Sequence, residues 1–114
     1  MDERTKRVLL YDFYGNLLTI KQREIYDLYY QQDLSLGEIA ELQSVSRQAV
    51  FDLLKRTDEV LKEYDCKLGL VTKYFKSVDI VEKVSGLLKE AEKNEIKDDF
   101  KDVYSLLDSI KSVW

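Results

Sequence analysis

Histidine and proline are absent from this 114-residue chain, cysteine occurs once and glycine four times. Each scarcity excludes something. With no proline and little glycine, helices can run long and few tight turns or hairpins are encoded. A single cysteine, Cys66, excludes an internal disulfide, and a chain without histidine offers no metal site of the usual Cys and His kind. Cys66 is therefore expected as a buried free thiol. The common nucleophile activators and Gly-rich phosphate cradles are missing as well, so no enzyme and no cofactor are expected. The adjacent acids Asp98 and Asp99 would point about 100° apart on a helix and would not share a catalytic site. No stretch approaches the roughly 20 apolar residues of a spanning helix, and the opening MDERTKRVLLYDFY is too interrupted for a signal peptide. A cytoplasmic protein with no membrane insertion is expected.

What is present is a chain that is 45% hydrophobic and rich in Leu, Lys, Glu and Asp, enough to bury a core without staples. The fold class expected is all-α, a single domain over 1–114. Its helix-turn-helix part would cover 1–73, and a C-terminal helical part over 74–114 would serve packing or dimerisation. Against 18 Lys and Arg stand 22 Asp and Glu, a net charge of −4. That is the wrong sign for a protein that clings to phosphate over its whole surface, so any nucleic-acid contact must be local. The charge is nearly balanced up to Thr57 and more acidic beyond it.

Apolar spacing and capping residues divide the chain into helices. Val8, Leu9, Tyr11, Tyr14 and Leu18 recur at threes and fours, predicting a first helix from Lys6 that ends near Gly15 and Asn16. Thr19 and Gln22 stand in capping-box relation, opening a second helix with Ile25, Leu28 and Tyr29 inward and a stop near Asp33. Ser35 and Glu38 repeat the box, with Leu34 and Ile39 as a hydrophobic staple, so a third helix covers Leu36 to Gln43. Ser46 caps a fourth, flanked by the staple pair Val45 and Val50. The fourth keeps one apolar face through Leu53, Leu54, Thr57, Leu61, Tyr64 and Leu68 until Gly69. Ser77 is expected to cap a fifth helix carrying Ile80, Val81, Val84, Leu87, Leu88 and Ala91 and ending at Asn94. The last places Ile96, Phe100, Val103, Leu107, Ile110 and Trp114 at alternating fours and threes, a helix-pairing seam that would be either an internal packing face or a dimer surface. The clusters Tyr11, Phe13, Tyr14 and Tyr26, Tyr29, Tyr30 read as core and subunit contacts rather than base-stacking platforms.

The third and fourth helices together form a candidate helix-turn-helix. Ala40 is the small residue that lets the two cross closely, and Ile39, Val45, Val50 and Leu53 fill the space beneath the turn. Ser44 stands where a glycine usually opens the turn. On the outer face of the fourth helix, Arg47, Gln48, Phe51, Asp52 and Lys55 lie at offsets of zero, one, four, five and eight, and all project to one side. Leading residues of a recognition helix reach base edges, Arg47 suiting guanine and Gln48 adenine, while Ser46, Lys55 and Arg56 could meet phosphates. Phe51 could meet a thymine methyl or a partner's apolar surface. Asp52 would be repelled by phosphate unless it reads cytosine or pairs with Arg56.

From Leu18 to Leu61 the segments QREIYDLYY, LSLGEIAEL and VSRQAVFDLLKRTDEVL resemble the helix-turn-helix of the fourth conserved region of bacterial sigma factors. A small bacterial family, YlxM, is matched more specifically, through Tyr11 to Tyr14, Leu17 to Thr19, Lys21 to Arg23, Leu28 to Tyr30, Ser35 to Glu41, Val45 to Val50 and Lys55 to Thr57. The C-terminal third is less diagnostic, and Phe51 stands where a tyrosine is commoner in that family. The resemblance implies a regulatory accessory of the signal recognition particle pathway, acting through the particle's RNA or its GTPases. It supplies no catalytic residues. The expected partner is nucleic acid, DNA or RNA, with a homodimer formed through the C-terminal helices. A DNA-binding transcriptional regulator and a protein-binding adaptor without nucleic-acid contact stand as alternatives.

Overall fold

A computed structural model of the chain describes residues 2–94 and 100–114. The described residues form helices joined by short connections, with no strand among them, so the protein is all-α as its composition implies. They fall into two compact units, one reaching to Gly69 and one from Leu70 to Trp114. No described helix is long and apolar enough to cross a membrane.

In the first unit, α1 runs Glu3–Tyr14 and passes through a 3-10 turn, Gly15–Leu17, into α2, Ile20–Tyr30; α3 is Leu36–Gln43 and α4 is Arg47–Leu68. Helix α1 begins three residues before Lys6 because Asp2 caps it, its carboxylate accepting from the Thr5 amide at 2.6 Å. The Thr19 and Ser35 capping boxes both form as reciprocal pairs, with Gln22 and Glu38 reaching back to the cap amides. Helix α2 stops at Tyr30, short of Asp33, and Asp33 takes the left-handed conformation at φ 55° that an aspartate tolerates better than most residues.

Four helices meet over a core of Leu10, Tyr14, Leu18, Ile25, Tyr26, Ile39, Val50, Leu54, Thr57 and Leu61. Val8 is exposed and Leu10 takes its place inside, because the stripe of α1 that packs against α4 runs through Leu10 and Tyr14. Burying tyrosine requires a partner for each hydroxyl. Tyr14, 1% exposed, donates to Asp65 at 2.7 Å, and Tyr26 donates to Asp58 at 3.1 Å, so both phenols tie their helices to α4. Tyr11 donates to Asp27 at 2.5 Å and stacks on Tyr26 with ring centroids 4.9 Å apart. Burial pushes the Tyr11 phenol up to about 12, with the Asp27 carboxylate adding to the effect, and burial raises Tyr26 and Tyr30 in the same direction. Thr57 enters the core because its hydroxyl donates to the Leu53 carbonyl one turn back, at 2.7 Å. Tyr11, Tyr14 and Tyr26 are thus packing elements, as their helical spacing predicts, while Phe13, Tyr29 and Tyr30 are half-buried.

Two expectations about α4 require correction. Cys66 is exposed rather than buried. The inward stripe of α4 passes through Leu54, Thr57 and Leu61, and five residues beyond Leu61, at about 100° per residue, Cys66 has rotated to the outside. Leu68, also expected on that stripe, is exposed next to the left-handed Gly69 cap at φ 67°.

The second unit pairs α5, Leu70–Lys93, with α6, Lys101–Lys111. Ser77 does not begin a helix. Once Gly69 has turned the chain, Leu70 to Lys76 contain no breaker, so α5 starts at once and Ser77 lies inside it. Its hydroxyl accepts the indole N–H of Trp114 at 2.8 Å, which returns the chain end to α5. Val84 and Val103 are buried, Ile110 is half-buried, and Phe100, Leu107 and Trp114 are exposed. Ile96, Asp98 and Asp99 lie outside the described residues.

Candidate nucleic-acid interface

Helix α3 ends in a Schellman arrangement. The Val45 amide donates to the Ala40 carbonyl at 3.0 Å and the Ser44 amide to the Glu41 carbonyl at 3.3 Å, with Ser44 in the left-handed region at φ 56° and ψ 44°. Serine thus occupies the position where glycine is usual, and the sharp turn forms nonetheless. Two residues later Ser46 returns to extended backbone, and its hydroxyl accepts the Ala49 amide at 3.0 Å, starting α4. Beneath the turn Ile39 and Val50 are fully buried and Ala40 nearly so, which is the close helix crossing the small residue permits.

Val45 does not join that packing set. At 40% exposure it sits on the outer side of the turn, as a residue following a left-handed cap does when only its inner edge meets the preceding helix. Gln43, the last residue of α3, holds the motif against α2: its amide group donates to Glu24 at 3.0 Å and accepts from the Lys21 ammonium. Nothing in the local pattern marks that link, because it joins residues about twenty positions apart.

All seven residues expected on the interface, Ser46, Arg47, Gln48, Phe51, Asp52, Lys55 and Arg56, are exposed. They differ in what already engages them. The Gln48 amide donates to the Asp52 carboxylate at 2.9 Å, so these two form an internal pair one turn apart. Asp52 is therefore held by Gln48 and not by Arg56. Arg56 is drawn the other way along the helix, toward Glu59 at 3.5 Å and Glu63 at 3.4 Å. Arg47 and Lys55 take part in none of the salt bridges among the described residues. The stem of Arg47 passes over the first turn of α3, where a Cβ added to Gly37 would lie 3.8 Å from its Cδ. Phe51 stands 48% exposed between them. The face therefore offers two uncommitted cations around an exposed ring, with one amide-carboxylate pair and one arginine held by two glutamates beside it.

Comparison with known proteins places this architecture. The family model of the YlxM/p13-like helix-turn-helix proteins, UPF0122, matches residues 1–103. A UPF0122 protein of Caldanaerobacter subterraneus is 55% identical over 76 residues, covering 67% of this chain and 65% of its own length. UPF0122 proteins of Bacillus mycoides and Bacillus thuringiensis are 44% and 43% identical over 110 residues, each covering 96% of this chain and 98% of their own length. With its turn at Ser44 and its capped helices in place, the chain belongs to the UPF0122 family of YlxM/p13-like helix-turn-helix proteins.

Proposed function

We propose that this protein is a regulatory protein that binds nucleic acid through the outer face of α4 and serves as an accessory of the signal recognition particle pathway. One observation carries the first half: Arg47 at the start of the second helix of the motif and Lys55 two turns further along are both exposed, and neither takes part in a salt bridge among the described residues. Cations so placed can exchange their hydration and counterions for phosphates without first breaking a protein contact. The likeness to the YlxM family supports the second half.

Replacing Arg47 and Lys55 together by alanine should weaken binding to a short duplex without lowering thermal stability. Unchanged affinity in an anisotropy titration would refute the assignment. Exposed Phe51 and the Gln48–Asp52 pair favour a second reading, a protein-binding adaptor. Retention of the particle's GTPase after nuclease treatment would select it. Tyr104, 65% exposed, and Leu107 on α6 are the surface through which two copies would pair, giving a doubled mass in light scattering.

A further inference from the structure

Three clefts in the first unit share one residue, Tyr30. The first is lined by Arg4, Arg7, Tyr11, Asp12, Tyr26 and Tyr30 among others. The second, about 540 Å³, is lined by Arg4, Arg7, Tyr29, Tyr30, Asp33 and Leu34; small-ligand sites span roughly 300–1,000 Å³. A third continues past Tyr29 and Tyr30 to Leu36, Phe51, Leu54, Lys55 and Asp58, on the side of α4 that carries Lys55 of the proposed interface. The clefts thus adjoin one another from α1 to α4 around a pair of half-buried tyrosines.

The chemistry along this track is specific. The Arg7 guanidinium lies over the Tyr30 ring, 4.3 Å from its centroid, and Tyr29 meets Tyr30 edge-on at 4.9 Å. Arg4 sits one turn before Arg7. Neither arginine takes part in a salt bridge among the described residues. Two carboxylates from the surrounding helices, Asp27 and Asp58, are instead engaged as acceptors by the hydroxyls of Tyr11 and Tyr26. What is left for a ligand is the Arg7 guanidinium and the Tyr29 ring rather than Tyr30, whose ring already meets Arg7 at 4.3 Å and Tyr26 at 4.5 Å, with Arg4 beside them and the acceptor carboxylates Asp12 and Asp33 among the lining residues. Planar rings joined by phosphates match that set: a base stacks on tyrosine or guanidinium, a phosphate meets arginine, and a base amine donates to a carboxylate.

We infer that the Arg4, Arg7, Tyr29, Tyr30 track binds unpaired nucleotides of a single-stranded polynucleotide that continues onto Lys55 of α4. A duplex cannot use it, because paired bases keep their faces within the stack. The inference rests on the proposed nucleic-acid role and assigns it a second, single-strand contact.

The test uses the full chain and one oligonucleotide in two forms, as a single strand carrying 2-aminopurine and as the matched blunt duplex. On the single strand, wild type should quench 2-aminopurine fluorescence. Arg4→Gln/Arg7→Gln and Tyr29→Leu, which removes the ring but keeps an apolar side chain, should each weaken binding by roughly tenfold, the scale of one lost base stack. Duplex affinity should stay within about twofold, and Tyr29→Leu should abolish the quenching even at saturation. Arg4→Gln alone, at an exposed position, should weaken single-strand binding without altering the melting curve.

Unchanged single-strand affinity in all three variants overturns the inference while leaving the α4 face standing. An equal loss for both forms also overturns it, reducing the arginines to general attraction. Displacement of the strand by polyglutamate without any 2-aminopurine quenching reassigns the cleft to an acidic polypeptide. If neither form binds wild type, the α4 role itself fails and this inference with it.

Discussion

Ser44 carries the geometry on which the motif depends, and substitution there gives a sharp expectation. Its φ of 56° is a conformation that costs an L-residue about 1–2 kcal/mol relative to the right-handed region. Glycine escapes that cost but loses about 0.5–1 kcal/mol more chain entropy on folding. Ser44→Gly should therefore stabilise the protein by about 0.5–1 kcal/mol, the difference between the two effects. For a chain of this size that corresponds to a rise of about 2–6 °C in Tm. Ser44→Ala keeps the left-handed cost and gains nothing, so it should melt within about 0.5 kcal/mol of wild type, like other surface changes. Ser44→Val places a β-branched residue where its side chain crowds the backbone and should be the least stable of the series. Thermal and urea unfolding followed by far-UV circular dichroism give the order directly. If glycine proved no more stable than alanine, the left-handed turn would not be the conformation populated in solution, and α3 and α4 would not meet as described.

The paired and unpaired cations of α4 should separate by salt dependence. On a duplex each lost phosphate contact lowers the slope of log K against log salt by about 0.9, so Arg47→Ala or Lys55→Ala should each remove roughly threefold of the affinity change between about 50 and 200 mM salt. Arg56→Ala should remove less, because Glu59 and Glu63 already neutralise that guanidinium, and equal slopes for all three variants would refute the distinction. At Asp58, burial raises the carboxyl above its ordinary value, outweighing the Tyr26 hydrogen bond and the Arg7 and Lys62 charges. A raised native pKa means that its contribution to stability is fully present below the unfolded value of 3.8 and is lost as pH rises through the native value. Asp58→Asn, which resembles the protonated acid, should gain stability relative to wild type as pH rises from about 3.5 to 6. Parallel pH profiles for the two proteins would contradict it.

Local signals made most of the first unit legible. The Thr19 and Ser35 boxes and the Ser46 cap are contacts within four residues, so composition and spacing suffice to find them, and α3 begins and ends where they place it. The outward set from Ser46 to Arg56 followed from helical period alone. What failed was either dependent on distant partners or a choice between competing neighbours on one helix. Val8 and Leu10 compete for the inside of α1 according to how that helix meets α4. Ser77 looks like a cap, yet α5 has already begun at Leu70, directly after the left-handed Gly69. Asp52 and Arg56 stand one turn apart and read as a pair, yet each has a better neighbour, Gln48 on one side and Glu59 with Glu63 on the other. Arg7 over Tyr30 joins residues of two helices, and no periodicity along either one reports it.

The net charge of −4 limits how nucleic acid can be held, and the arrangement on α4 shows how the limit can be met. At physiological salt the Debye length is about 8 Å, so acidic groups farther than that from a docked phosphate are largely screened. Nearby carboxylates still matter: Glu59 and Glu63 are paired with Arg56, Asp52 keeps its charge although neutral Gln48 donates to it, and Glu38 and Glu41 line the cleft beside Arg47 as Asp58 lines the one beside Lys55. Arg56 then serves less as a phosphate contact than as a counterion that quiets two glutamates one and two turns further along the helix. Arg47 and Lys55, eight residues and about 12 Å of helix apart, are free of salt bridges among the described residues but act on phosphates against the charge of Asp52 between them. A footprint of so few contacts supports binding that is weak and graded with salt. On the proposed reading, specificity would then come from exposed Phe51 and the shape of the turn rather than from the strength of the attraction.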